Sequence, residues 1–63
     1  MPLAQIYIME GRTDEQKRDA IEKVTVALHE ALGAPVENVR VLIHDVPKTQ
    51  WGIGGKPAKE LGR

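Results

Sequence analysis

Four side chains have the types and placement to do chemistry: Pro2, Arg12, Arg40 and Trp51. Pro2 follows Met1, so removal of Met1 would turn its ring nitrogen into a secondary amine at the chain terminus. A free α-amino group titrates near ~7.7–8.0, and an apolar pocket or a nearby cation lowers that value by disfavouring the charged form. An amine held neutral at physiological pH is a competent general base. The alternative is an inert second-position proline.

Arg40 interrupts an otherwise apolar stretch. Its guanidinium either grips a carboxylate through two parallel hydrogen bonds or lays its stem on apolar neighbours and keeps its head in water. Arg12 follows Gly11 just past a predicted strand, where a βαβ unit carries binding loops; the alternative is a solvated loop charge. Trp51 is the only Trp and suits either a pocket wall or a subunit contact. His29, beside Glu30, reads as solvated, and His44, on the same strand face as Arg40, as structural rather than catalytic.

Much other chemistry is excluded by composition. The 63 residues contain no Cys and no Ser, which removes thiol nucleophiles, disulfides and serine triads. Two His at unrelated spacing make no metal site. Gly52-Ile53-Gly54-Gly55 lacks the Lys-Ser/Thr of a phosphate loop and reads as a hairpin turn. Nine Lys and Arg balance nine Asp and Glu, so neither nucleic acid nor an anionic membrane is expected as a partner. Apolar stretches such as Val41-Leu42-Ile43 fall far short of the ~20 residues of a spanning helix. The start of the chain has no signal-peptide pattern, and a soluble, cytoplasmic protein is expected.

The elements that must position these residues are legible. Leu3–Met9 is apolar on both faces, with Ala4, Ile6 and Ile8 on one and Leu3, Gln5, Tyr7 and Met9 on the other, the pattern of a strand covered twice. Thr13 with Gln16 forms a capping box, and Asp14 and Glu15 suit the positive end of a helix dipole. The helix is predicted to run to about Leu32, with a stripe of Ile21, Val24, Leu28 and Leu32 widened by Ala20, Ala27 and Ala31. Gly33 and Pro35 end it. Val39–Val46 is a second strand, with Val39, Val41 and Ile43 opposite Arg40, Leu42 and His44. The Gly- and Pro-rich tail predicts a short hairpin or arm.

The fold class is therefore α/β (α+β): one domain over residues 1–63, a single βαβ unit with parallel strands and a short C-terminal hairpin. One helix covers only one face of two strands, so the other face must meet another subunit. A chain of fewer than roughly 70–80 residues seldom draws enough stability from its own core, and without disulfides or a metal, oligomerisation is the remaining support.

The segments PLAQIYIMEGRTDEQKR, VRVLIHDV and WGIGG together resemble the 4-oxalocrotonate tautomerase family over nearly the whole chain, EGRTDEQK being the most specific part. The resemblance implies a βαβ subunit assembled as a homohexamer, with no metal or organic cofactor. It implies Pro2, freed of Met1, as general base, with Arg12 and Arg40 from different chains binding a small-molecule carboxylate. The family's pocket aromatic is usually Phe; here Trp51 stands in its place. The implied reaction is tautomerisation of a dienol dicarboxylate such as 2-hydroxymuconate to its conjugated 2-oxo acid in aromatic catabolism. Haloacrylate dehalogenases of the same superfamily carry Arg where this chain has Met9 and a carboxylate where it has Ile53, which argues against dehalogenation. Two alternatives remain: a non-catalytic oligomeric scaffold if Met1 is retained, or a superfamily enzyme acting on a different unsaturated acid.

Overall fold

Two parallel strands carry everything else. The computed structural model describes residues 1–63 and places β1 at Leu3–Met9, α1 at Asp14–Leu32 and β2 at Arg40–Val46. Pairing runs in unbroken register from Leu3 opposite Arg40 to Met9 opposite Val46. Because side chains alternate across a strand, this register gathers Ala4, Ile6, Ile8, Val41 and Ile43 on the face beneath α1. Those five residues are all half-buried.

α1 begins and ends as its sequence dictates. Thr13 Oγ1 accepts from Gln16 N–H at 3.1 Å, and Gln16 Oε1 accepts from Thr13 N–H at 2.9 Å. Gly33 closes the helix at φ 70°, ψ 13°, donating its N–H to the His29 carbonyl. Its left-handed backbone suits Gly, which lacks the Cβ that penalises other residues there. The inward stripe is Lys17, Ala20, Val24 and Leu28, rather than the predicted one. Val24 and Leu28 face the sheet as expected, but Ile21 and Leu32 are exposed, as are Ala27 and Ala31. The helix is turned so that Lys17 Nζ reaches Asp45 Oδ2 on β2 at 2.6 Å.

β2 starts one residue later than predicted. Val36–Asn38 forms a 3₁₀ turn, and Val39, which ends it, is one of only two buried residues. The tail forms the expected hairpin: β3, Gly52–Ile53, pairs antiparallel with β4, Lys56–Pro57. Gly54 and Gly55, both at positive φ, make the two-residue turn. Further 3₁₀ turns at Lys48–Gln50 and Ala58–Leu61 flank the hairpin. Fully buried Ala58 ties them together by donating to the Trp51 carbonyl at 2.7 Å.

The subunit is thin and open. Its extents are 43 × 23 × 13 Å and its radius of gyration 14.5 Å, whereas a compact chain of this length would have roughly 11 Å. It exposes 4773 Å², against about 4,000 Å² for a compact monomer of the same mass. The sheet face away from α1 has no cover: Leu3 is 53%, Tyr7 60% and Leu42 40% exposed.

Two expectations follow. Thr13→Ala removes the capping box and lowers stability by about 1 kcal/mol, read from urea denaturation at fixed protein concentration. The hydrogen bond to Asp45 raises the Lys17 pKa above its ordinary 10.5. Its contribution is therefore complete below about pH 10 and is lost as pH rises through the raised value. Lys17→Met flattens that alkaline fall in melting temperature.

Candidate active site

The parallel sheet sorts the candidate residues to two ends. Pro2 and Arg40 share one end, where the Arg40 N–H donates to the Pro2 carbonyl at 3.0 Å. Arg12 and Trp51 share the other, beyond the carboxyl ends of β1 and β2. Seven strand residues at about 3.3 Å each put roughly 20 Å between the two ends. Pro2 and Arg12 of one chain therefore cannot act on one small molecule.

At the first end Pro2 is half-buried and Met1 is exposed. The Arg40 guanidinium reaches back over the 3₁₀ turn, Nη1 donating to the Glu37 carbonyl at 2.8 Å. A longer bond from Nη1 goes to the Val39 carbonyl at 3.4 Å. These contacts fix the side chain through one nitrogen and leave the Nε and Nη2 donors unused within the chain. That free edge is the one that matches a carboxylate with two parallel bonds.

At the second end an open cavity of about 450 Å³ is lined by Ile8, Met9, Glu10, Gly11, Arg12, Lys48, Trp51 and Arg63. Its shape follows from the sheet register. The parallel pairing continues one step past Met9, with the Glu10 N–H donating to the Val46 carbonyl at 2.9 Å. The Glu10 carboxylate then accepts from the Lys48 N–H at 2.7 Å. That bond caps the turn Lys48–Gln50 and seats Trp51 beside the Gly11–Arg12 loop. Crevices at the carboxyl ends of parallel strands are the common ligand sites of α/β sheets. This one offers an indole wall, apolar Ile8 and Met9, and three cationic side chains.

Sequence reasoning named Arg12 and Trp51, which the fold brings together here, but passed over Glu10, Lys48 and Arg63. The signal for two of them was present. Segments following two adjacent parallel strands leave the sheet at the same end, which brings Glu10–Arg12 and Lys48–Trp51 together. Arg63 had no such cue, because it returns to the cavity through the 3₁₀ turn at Ala58–Leu61.

The two histidines take no part in either cluster. His29 is exposed, with Nδ1 donating to the Ala34 carbonyl. His44 stacks on Tyr7 across the open sheet face, with ring centroids 4.4 Å apart and planes at 15°. Its Nε2 is buried and has no hydrogen-bond partner within the chain.

The βαβ subunit with its parallel strands and short C-terminal hairpin defines a class that known proteins share. The sequence profile of the tautomerase enzyme family matches residues 2–60. A 2-hydroxymuconate tautomerase from Comamonas testosteroni is 70% identical over 63 residues, spanning 100% of both chains. A structure from work on the 4-oxalocrotonate tautomerase isozymes of Methylibium petroleiphilum superposes with a TM-score of 0.93 at 72% identity, covering 98% of this chain and 100% of that one. A structure from work on a heterohexamer 4-oxalocrotonate tautomerase of Chloroflexus aurantiacus superposes at 0.90 and 38% identity, covering 97% and 98%. The chain belongs to the tautomerase enzyme family, and its reaction class is keto–enol isomerisation.

The capping bond predicts a difference between two variants at Glu10. Glu10→Ala removes the acceptor for the Lys48 N–H and loosens the turn by about 1 kcal/mol, whereas Glu10→Gln keeps an acceptor in place. Acrylamide quenching of Trp51 fluorescence should rise in the first and stay near wild type in the second.

Proposed function

We propose that the chain is a cofactor-free tautomerase acting on a 2-hydroxy-dienoate dicarboxylate such as 2-hydroxymuconate. The single observation that carries this substrate is the cavity of Arg12, Lys48, Arg63 and Trp51, whose surplus of positive charge suits a planar, conjugated dianion. The name of the Comamonas testosteroni relative supports the same reading.

Pro2, once Met1 is removed, is the general base. Its ring nitrogen accepts the proton of the 2-hydroxyl, and electron density moves along the conjugated chain as the carbonyl forms. The protonated amine then returns that proton to a carbon further along the chain. Atoms balance without an oxidant, a reductant or water. The guanidinium groups of Arg12 and Arg40 hold the carboxylates and offset the charge that develops on the oxygen. Trp51 excludes water and, with the nearby cations, favours the neutral amine.

This chemistry needs more than one subunit, because the Pro2 end and the Arg12 end lie roughly 20 Å apart in each. We infer a homohexamer of single-domain subunits in which the Pro2 end of one chain meets the Arg12 end of another. The open sheet face with Leu3, Tyr7 and Leu42, the exposed Ile21 and Leu32 of α1, and the unpartnered His44 Nε2 all favour such self-association. The hexamer named for the Chloroflexus aurantiacus protein is consistent with it. No helix is long and apolar enough to cross a membrane, and we place the assembly in the cytoplasm.

Pro2→Ala should lower kcat on 2-hydroxymuconate by 10²-fold or more, the ordinary worth of a positioned base, while native mass spectrometry still finds the assembly. Full activity in that variant, with Met1 absent by mass, overturns Pro2 as the base. Arg12→Ala and Arg40→Ala should each lower kcat/KM by at least tenfold with unchanged far-ultraviolet circular dichroism.

A further inference from the structure

Arg12 sits on a short bridge, Gly11–Thr13, between the strand end and the start of α1. Packing does not hold that bridge, since nothing lies within 4 Å of the place a Gly11 Cβ would occupy. The Arg12 guanidinium has no ion pair within the chain, whose ion pairs belong to Lys17 and Lys23. Its position is therefore set by whatever fixes the two ends of the bridge.

The β1 end is fixed by the two bonds from Glu10, one to the Val46 carbonyl and one to the Lys48 N–H. The α1 end has a different tether. Lys17 lies one turn beyond Thr13 and donates its N–H to the Thr13 carbonyl at 3.1 Å. Its ammonium crosses to Asp45 Oδ2 on β2 at 2.6 Å, with a side chain only 23% exposed. Its other acidic neighbour, Asp14, is 3.8 Å away. Little else holds this part of the helix to the sheet. Ala20 is the next inward residue and its methyl offers little burial, while Val24 and Leu28 pack further along. A second cavity of about 250 Å³ opens beneath the start of α1, lined by Arg12 and Lys17 together and by Ile8, the register partner of Asp45.

We propose that Lys17 is a positioning residue for Arg12: by pairing with Asp45 it fixes the first turn of α1, and so the bridge, against the end of β2 that leads to Trp51. Asp45, Val46 and Lys48 then refer both ends of the bridge to one strand end. A displacement of about 1 Å in a substrate-holding group can cost up to 10²-fold in rate, so a tether of this kind bears on function as well as on stability. The inference rests on the reading of Arg12 as a carboxylate-holding residue, though not on Pro2 as a base.

The test is a double-mutant cycle between Lys17 and Arg12 on the assembled protein, with kcat and KM for 2-hydroxymuconate measured separately. Lys17→Met should lower kcat/KM about fivefold, mostly through KM, and Asp45→Asn should do the same from the other side of the pair. Lys17→Arg keeps a cation for Asp45 and should recover to within about twofold of wild type. In an Arg12→Ala background Lys17→Met should cost less than about twofold, because no guanidinium is left to place. Lys23→Met breaks a 2.9 Å pair within α1 that reaches no strand, and should leave KM unchanged. The full cost of Lys17→Met persisting in the Arg12→Ala background marks a general structural role and overturns the proposal. An unchanged kcat/KM in Lys17→Met, with the assembly intact by native mass spectrometry, also overturns it. If Lys17→Met does not assemble, Asp45→Asn carries the same cycle. A wild-type protein that turns over no enol dicarboxylate removes the proposed reaction, and the cycle is then read from the dissociation constant of adipate, followed by Trp51 emission, with the same coupling expected and its absence overturning the inference. Failure of wild type to bind adipate as well removes Arg12 as an anchor and the inference with it.

Discussion

The parallel pairing of β1 with β2 is the constraint on which the other features depend. Its register runs from Leu3–Arg40 to Met9–Val46 and is extended by one hydrogen bond at each end. The Arg40 N–H to the Pro2 carbonyl extends it on one side, and the Glu10 N–H to the Val46 carbonyl on the other. A slip by one residue would turn Ala4, Ile6 and Ile8 away from α1 and expose them. It would also separate Arg40 from Pro2 and Glu10 from Lys48. The strand pairing that makes the sheet therefore also sets the geometry of both residue clusters.

The same pairing explains why the chain is so open. Two strands and one helix make two layers, and two layers have one inner surface. With only Val39 and Ala58 buried, the chain lacks the interior that normally offsets conformational entropy. Its free surface is apolar where an isolated subunit would be polar: Leu3, Tyr7 and Leu42 on the sheet, Ile21 and Leu32 on the helix. A subunit of this form has a stability that depends on protein concentration, because association supplies burial the chain cannot supply alone.

Most of the local structure was legible in the sequence because it is set by local chemistry. The Thr13–Gln16 box and Gly33 bound α1 where the residues indicated, and the alternation of Leu3–Met9 divided that strand between two faces. What was not legible was set by contacts across the fold. The inward stripe of α1 includes Lys17 rather than Ile21, because hydropathy ranks a lysine as outward-facing and takes no account of Asp45 on the neighbouring strand. Val39 left β2 to finish a 3₁₀ turn, a choice that strand propensity alone does not register. Of the cavity lining, Arg12 and Trp51 were visible as residue types in telling places. Lys48 was not, since its interest lies in a main-chain bond to Glu10 38 residues away in sequence.

The separation of Pro2 and Arg40 from Arg12 and Trp51 has a consequence for how such a chain can diverge. In the proposed reaction each subunit carries two half-sites at opposite ends, and a working centre needs one of each. After gene duplication, one copy can lose its basic end while the other loses its cationic end, and the mixed assembly keeps a share of intact centres. Purifying selection on each end is thereby relaxed in one copy at a time. A short symmetric subunit is in this way predisposed to evolve into an obligate pair of unlike chains.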